Sequence, residues 1–182
     1  NHFDKSLLLE EKLIKSGKFD FVEKLNPSEF NDIKFTYINQ HEQKGLGHAI
    51  LLAEDFINNE PFAVLLPDDL FFSEKSCLMQ LEEVYRQTNS SVIAVNKIDA
   101  DNIHKYGVIK PGLINNRAIE VVDIVEKPKY EDAPSDIAVC GRYILSSSIF
   151  RYLNKTSPDS DEEIQLTDAI KMMLKDESVY AC

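Results

Sequence analysis

Phe3, Leu7, Leu9, Leu13 and Ile14 recur at helical spacing along the first segment, and the pattern stops near Gly17. A linker around Asn26 and Pro27 follows. Residues 33–39, IKFTYIN, alternate and are rich in β-branched and aromatic side chains, which predicts a strand. The glycines of KGLG open a second helical stripe with Ala49, Ile50, Ala53, Phe56 and Ile57 on one face. FAVLL, residues 62–66, is instead a short unbroken apolar run ended by Pro67, the pattern of a strand buried on both faces of a parallel sheet. A helix over residues 76–87 and the strand SVIAVN at 91–96 continue a strand–helix–strand alternation, which predicts an α/β chain.

The second half is patterned differently. GVIK at 107–110, AIEVVDIVEK at 118–127 and IAVCGRYIL at 137–145 read as strands with no long helix between them. They predict a β-ribbon added to a mixed, mainly parallel sheet flanked by helices. Ser160 and Glu163 match a capping box, and Leu166, Ile170, Met173 and Leu174 continue as a helical stripe ending near Lys175. There is no internal repeat and no low-complexity segment, so residues 1–182 are expected to form a single domain.

Composition narrows the function. A net charge of −11, from 20 basic and 31 acidic residues, leaves no basic footprint for a nucleic acid. An acidic chain can still bind a polyanionic small molecule if the site supplies local cations, a divalent metal or backbone N–H groups. Cys77, Cys140 and Cys182 have no CxxC spacing and are odd in number, which argues against a disulfide framework or a zinc site and fits a reducing cytoplasm. No apolar run approaches the roughly 18 residues of a membrane span. The N-terminus has no Met and no signal-peptide pattern, and it opens as though inside a helix, so the chain is expected to be a piece of a longer protein, truncated at both ends.

Several short motifs carry candidate chemistry. In QHEQKGLGHA, residues 40–49, Gly45 and Gly47 lie between a predicted strand and a helix, where glycine lets a backbone approach a ligand closely. The dinucleotide fingerprint is not met, because Ile50 occupies its last glycine position. From the glycines alone, a plain strand-to-helix turn is the favoured explanation. Gln40 carries an amide donor and acceptor side by side, a match for the edge of a pyrimidine such as uracil. His48 reads as a structurally satisfied helix residue. In LLPDD, residues 65–69, Asp68 follows a predicted strand, and open α/β sheets bind ligands beyond the carboxyl ends of strands. A carboxylate there can hold Mg²⁺ or simply cap a turn; Asp69 is its partner or a solvated turn residue. Gly107 in YGV and Gly141 in VCGRY mark either a bulge or a close approach of backbone or ligand. Glu126 in EKP can accept hydrogen bonds from sugar hydroxyls, Lys127 offers a point charge for a phosphate, and Pro128 fixes where both point. A solvent-facing ion pair is the plain alternative. In EIQLTDA, residues 163–169, Glu163 either caps the helix or reaches a sugar pocket.

Taken together, Q-x4-G-L-G-H-A, L-P-D, Y-G-V, V-E-K-P, G-R-Y and E-I-Q-L-T-D-A stand here in the order found in bacterial UTP–glucose-1-phosphate uridylyltransferases. The chain resembles that family from NHFD to about Tyr180. The resemblance implies a Rossmann-like nucleotidyltransferase fold. It implies attack of glucose 1-phosphate on the α-phosphorus of UTP, giving UDP-glucose and pyrophosphate with Mg²⁺ as cofactor and no covalent enzyme intermediate. On that likeness Gln40 and the Gly45 backbone read uracil, and Asp68 holds the metal. Gly107, Glu126 and Gly141 touch glucose or ribose, and Lys127 binds the sugar phosphate, so that Lys127 and Asp68 are the catalytic pair; Glu163 stays a candidate for the sugar from its own position. The family's Gly-rich loop with its Arg and Lys, and a late second metal-binding Asp, have no counterpart in these 182 residues. The chain alone is therefore expected to be nearly inactive. The lost first strand would expose a sheet edge, so it is expected to pair into a homo-oligomer or to be poorly stable. Two further readings remain open: thymidylyl or adenylyl transfer to a sugar 1-phosphate, and a non-catalytic regulatory relative of the fold.

Overall fold

The computed structural model describes residues 6–25 and 32–182. Residues 1–39 and 40–182 form two units. In the first, the expected N-terminal helix is α1 (Leu7–Lys15), followed by α2 (Phe19–Leu25), and neither buries a side chain. Phe3, Asn26 and Pro27 lie outside the described residues. The strand expected at 33–39 does not form. Strand propensity measures how well side chains fit a pleated, half-buried surface, and Ile33, Phe35, Tyr37 and Ile38 are all exposed.

The second unit begins with α3 (Gly45–Leu51) and α4 (Glu54–Ile57), two short helices where one was expected. Ile50 is buried and Ile57 packs at the core margin, while Ala49 and Phe56 face solvent. The chain then builds β1 (Phe62–Leu65), α5 (Cys77–Thr88), β2 (Ser91–Lys97), β3 (Val108–Asn115), β4 (Ala118–Val125) and β5 (Ile137–Leu145). It closes with α6 (Ile149–Leu153), α7 (Leu166–Met173) and β6 (Val179–Ala181). The six strands form one sheet in the order β1-β5-β2-β6-β4-β3.

The sheet is mixed and flanked by helices, as expected, but among the described residues it is not mainly parallel. Only β2 and β6 run parallel; the other pairings are antiparallel. FAVLL is not buried on both faces either. Within this sheet β1 pairs with β5 alone, its burial alternates, and Leu65 is 53 % exposed. The strand covered on both faces is β2, which lies between β5 and β6. Val92 and Ala94 face α5 through Leu81 and Val84. Ile93 and Val95 face the larger cluster of Phe150, Leu153, Leu166, Ile170 and Met173 from α6 and α7. An unbroken apolar run therefore fixes neither two-sided burial nor strand direction: the run in β2 is covered on both faces and the run in β1 is not. Ser76 caps α5 by accepting the Met79 N–H, and β3 and β4 form the expected ribbon across a turn at Asn116, whose φ is +54°.

The capping box at Ser160 and Glu163 is corrected. α7 begins later in the chain, at Leu166, with Gln165 and not Ser160 as its N-cap and no side chain capping it. Instead Asp159 Oδ1 accepts the N–H groups of Asp161 and Glu163, and Glu162 takes a φ of +62°, closing a turn where a helix start was expected. The three cysteines are free and half-buried. Among the described residues no helix is long and apolar enough to cross a membrane.

Candidate functional site

Just past the end of β1, the Leu66 N–H donates to Gly141 O of β5 before Pro67 and Asp68 turn the chain away. Arg142 holds this turn down. Its Nη1 donates to Leu66 O and Gly141 O, its Nη2 donates to Asp69 O, all at 2.7 Å, and its guanidinium lies 4.9 Å from the Phe71 ring centre. Asp69 Oδ2 accepts the Gly141 N–H at 2.6 Å, so Asp69 is a structural tie of the turn. Asp68 makes no hydrogen bond or ion pair among the described residues, which leaves its carboxylate available.

Gly141 is needed for this packing. A Cβ there would stand 2.7 Å from Asp69 Oδ2 and 2.7 Å from Leu66 Cβ. It also sits in the register shift between β2 and β5, where Ile93 faces Tyr143 and Val95 faces Val139. Both sequence readings of this glycine, a bulge and a close approach, therefore hold at once.

Across the cleft, Glu126 and Lys127 directly follow β4. Lys127 adopts a φ of +42°, rare for a residue with a side chain and more so directly before a proline. Its N–H donates to Tyr106 O, and its ammonium lies 3.8 Å from Glu126 Oε1. Backbone strain of this kind, about 1–3 kcal/mol, persists where surroundings over-determine it and is often found at functional sites. Gly107 faces the same place: a Cβ on it would lie 3.1 Å from Thr167 Oγ1 and 3.2 Å from Glu126 Oε2.

These pieces enclose a cavity of about 520 Å³ whose walls include Asp68, Gly107, Glu126, Lys127 and Gly141. Five of the eight site residues picked from sequence thus meet in one place. The remaining three, Gln40, Gly45 and Glu163, are not in that wall but form a cluster beside it. Gly45, at φ +80°, presses on Glu163: a Cβ would come 2.9 Å from Glu163 Cβ. Gly47 N–H donates to Ile164 O and Ile164 N–H donates to Lys44 O, so the glycine segment is tied to residues 163–165 by backbone bonds. Leu46, between the two glycines, reaches the cavity. Gln40 Nε2 donates to Gly45 O at 3.2 Å and lies 2.9 Å from His48 Nδ1. The amide nitrogen is therefore engaged, and Gln40 can offer a base only its oxygen.

Tyr143, Gln165 and Thr167 also line the cavity and were missed in the sequence. Burial, then the neighbouring Glu126 carboxylate, pushes the Tyr143 phenol far above its ordinary range, so it stays neutral. Arg142 was missed too. Two of its three carbonyl partners lie more than 70 residues away, a relation no local pattern carries.

Among the described residues no three His, Cys, Asp or Glu side chains are arranged to hold a metal ion by themselves. Mg²⁺ commonly binds through one or two carboxylates plus substrate phosphates and water, and a single available Asp68 beside a cavity fits that mode.

The sequence matches the nucleotidyl transferase family over residues 5–182. It is 46 % identical over its whole length to a UTP–glucose-1-phosphate uridylyltransferase of Staphylococcus epidermidis, and spans 62 % of that relative. The fold superposes on a UDP-glucose pyrophosphorylase complexed with UDP-glucose at a TM-score of 0.81 and 39 % identity, over 99 % of this chain and 66 % of that one. It superposes on a UTP-bound enzyme of the same kind from Acinetobacter baumannii at a TM-score of 0.86 and 32 % identity, over 100 % of this chain and 63 % of that one.

Proposed function

We propose, because this chain belongs to the nucleotidyl transferase family, that the protein transfers a uridylyl group from UTP to glucose 1-phosphate, forming UDP-glucose and pyrophosphate. The observation that carries this reading is the cavity in which Asp68, Glu126 and Lys127 converge behind the close-packed Gly107 and Gly141. Its relatives are named for this reaction over the whole length of the chain.

In this reading Lys127 binds and neutralises the sugar phosphate, and its strained backbone fixes the direction of approach. Glu126, Gly107 and Gly141 receive the sugar or ribose, the glycines because no side chain stands in the way. Glu163 holds the sugar from the edge of the pocket. Gln40, with its nitrogen held by Gly45 O and His48, presents its oxygen to uracil N3–H, a donor that cytosine lacks; the Gly45 backbone lies against the same ring. Asp68 holds Mg²⁺, which when bound neutralises phosphate charge. Attack is in line on the α-phosphorus, and the protein's contribution is positioning and charge stabilisation. The protein acts in the cytoplasm, as a homo-oligomer.

The test is UDP-glucose formation by the full-length enzyme with UTP, dTTP and ATP in competition. UTP should be preferred, and preference for dTTP or ATP would move the assignment to another sugar nucleotidyltransferase. Failure to bind any nucleotide would favour a non-catalytic role.

A further inference from the structure

Gln165 is placed where a helix N-cap side chain would normally turn back onto the first N–H groups of its helix, and it does not. Its Nε2 donates instead to Asp159 Oδ2 at 2.8 Å and to Glu163 Oε2 at 3.0 Å. Carboxylates only accept, so both amide hydrogens are committed and the orientation of the amide is fixed. Gln165 Oε1 accepts no hydrogen bond among the described residues, yet no buried side-chain oxygen is left without a partner. Oε1 is therefore open to solvent. Gln165 lines both the 520 Å³ cavity and a neighbouring one of about 390 Å³, which also share Glu126 and Lys127.

Asp159 is itself anchored. Its Oδ1 accepts two backbone N–H groups, and the Gln165 amide, followed by the Glu163 N–H, holds its carboxyl below the ordinary aspartate range. It stays an acceptor at neutral pH and cannot release the amide by protonation.

We infer that Gln165 is a specificity residue whose Oε1 accepts a hydrogen bond from one hydroxyl of the sugar 1-phosphate, and that Asp159 is the positioning residue that aims it. The inference rests on the proposed uridylyltransferase reaction. It reassigns part of Glu163 as well: one of its oxygens orients Gln165 and is not free for the sugar. A site built to bond a hydroxyl discriminates against an analogue lacking it, because the site's own polar atom is then left unpaired.

The experiment uses the full-length enzyme, glucose 1-phosphate and its singly deoxygenated analogues. For the wild type, one analogue should suffer a penalty in kcat/KM that Gln165→Ala abolishes. Gln165→Ala should also raise KM for glucose 1-phosphate by about tenfold, the worth of one hydrogen bond, with KM for UTP unchanged. Asp159→Asn, which offers an N–H₂ where the wild type offers an oxygen, should turn the amide and reproduce the loss. Asp159→Glu should restore part of it. A merely structural role would lower melting temperature without changing which analogue is penalised. If Gln165→Ala keeps every deoxy penalty while the wild type turns over normally, the inference fails alone. A wild type inert toward UTP and glucose 1-phosphate overturns the functional reading and the inference with it.

Discussion

At Lys127 structure and function pull in opposite directions. The residue holds φ at +42° directly before Pro128, a conformation that glycine takes freely. Lys127→Gly is therefore expected to leave stability within about 1 kcal/mol of the wild type, since relief of strain offsets the greater freedom of the unfolded chain. Turnover should nonetheless fall by a factor on the order of 100 or more, read by comparing melting curves with steady-state kinetics. Asp68 and Asp69 offer a second contrast. Asp68→Asn should reduce Mg²⁺-dependent turnover steeply while leaving the melting temperature near its original value. Asp69→Asn should lower the melting temperature, because it weakens the tie to the Gly141 N–H. The sequence singled out Asp68 because ligands bind beyond the carboxyl ends of strands, and Glu126 and Lys127 because they offer an acceptor for hydroxyls and a charge for a phosphate. It preferred Asp68 to Asp69, but it could not show the structural duty of Asp69, which depends on a backbone N–H 72 residues away.

Among the elements, the segment from Asp159 to Gln165 was misread and is the most informative. A capping box and an Asp-centred turn share the same polar composition, and only the path of the chain distinguishes them. Because hydrogen bonds hold the Asp159 carboxyl below its ordinary value, the stability it adds is present above the unfolded value, about 3.9. That stability is lost as the pH falls through the lowered folded value. Asp159→Asn should therefore be less stable than the wild type near neutrality and converge with it in acid, measured by denaturant midpoints across pH. Gly47 makes a similar point on α3. A methyl there would lie 2.6 Å from Ile164 O, so Gly47→Ala should cost about 1–3 kcal/mol by overpacking. The glycines of KGLG serve helix-to-loop packing as much as any ligand.

For the molecule as a whole, the larger core cluster presses α6 and α7 onto the sheet face beneath the cavity. Met173 is fully buried there, and Met173→Ala should cost about 2–5 kcal/mol and loosen the helix that carries Gln165 and Thr167. Denaturant unfolding gives the cost, and KM for glucose 1-phosphate should rise with it. Ligand binding works in the other direction. UDP-glucose at 100 times its Kd should stabilise the folded protein by about 2.7 kcal/mol, visible as a concentration-dependent rise in melting temperature.

The sequence by itself determined the α/β class, α5, the strands β2 to β5 and the apolar stripe of α7, and it singled out Asp68, Glu126 and Lys127, which the fold brings to one cavity. All of these are written in local periodicity or in charged groups beside strand ends. Only the tertiary structure decided that β1 runs antiparallel to β5, that residues 33–39 form no strand, and that β6 completes the sheet beside β2. It alone brought Arg142 to the carbonyls of Leu66 and Asp69, and Gln165 to Asp159 and Glu163. The physical reason is common to all of them. Strand direction is set by which neighbour supplies hydrogen-bond partners, and a side-chain amide or guanidinium takes its role from whichever acceptors the fold carries to it.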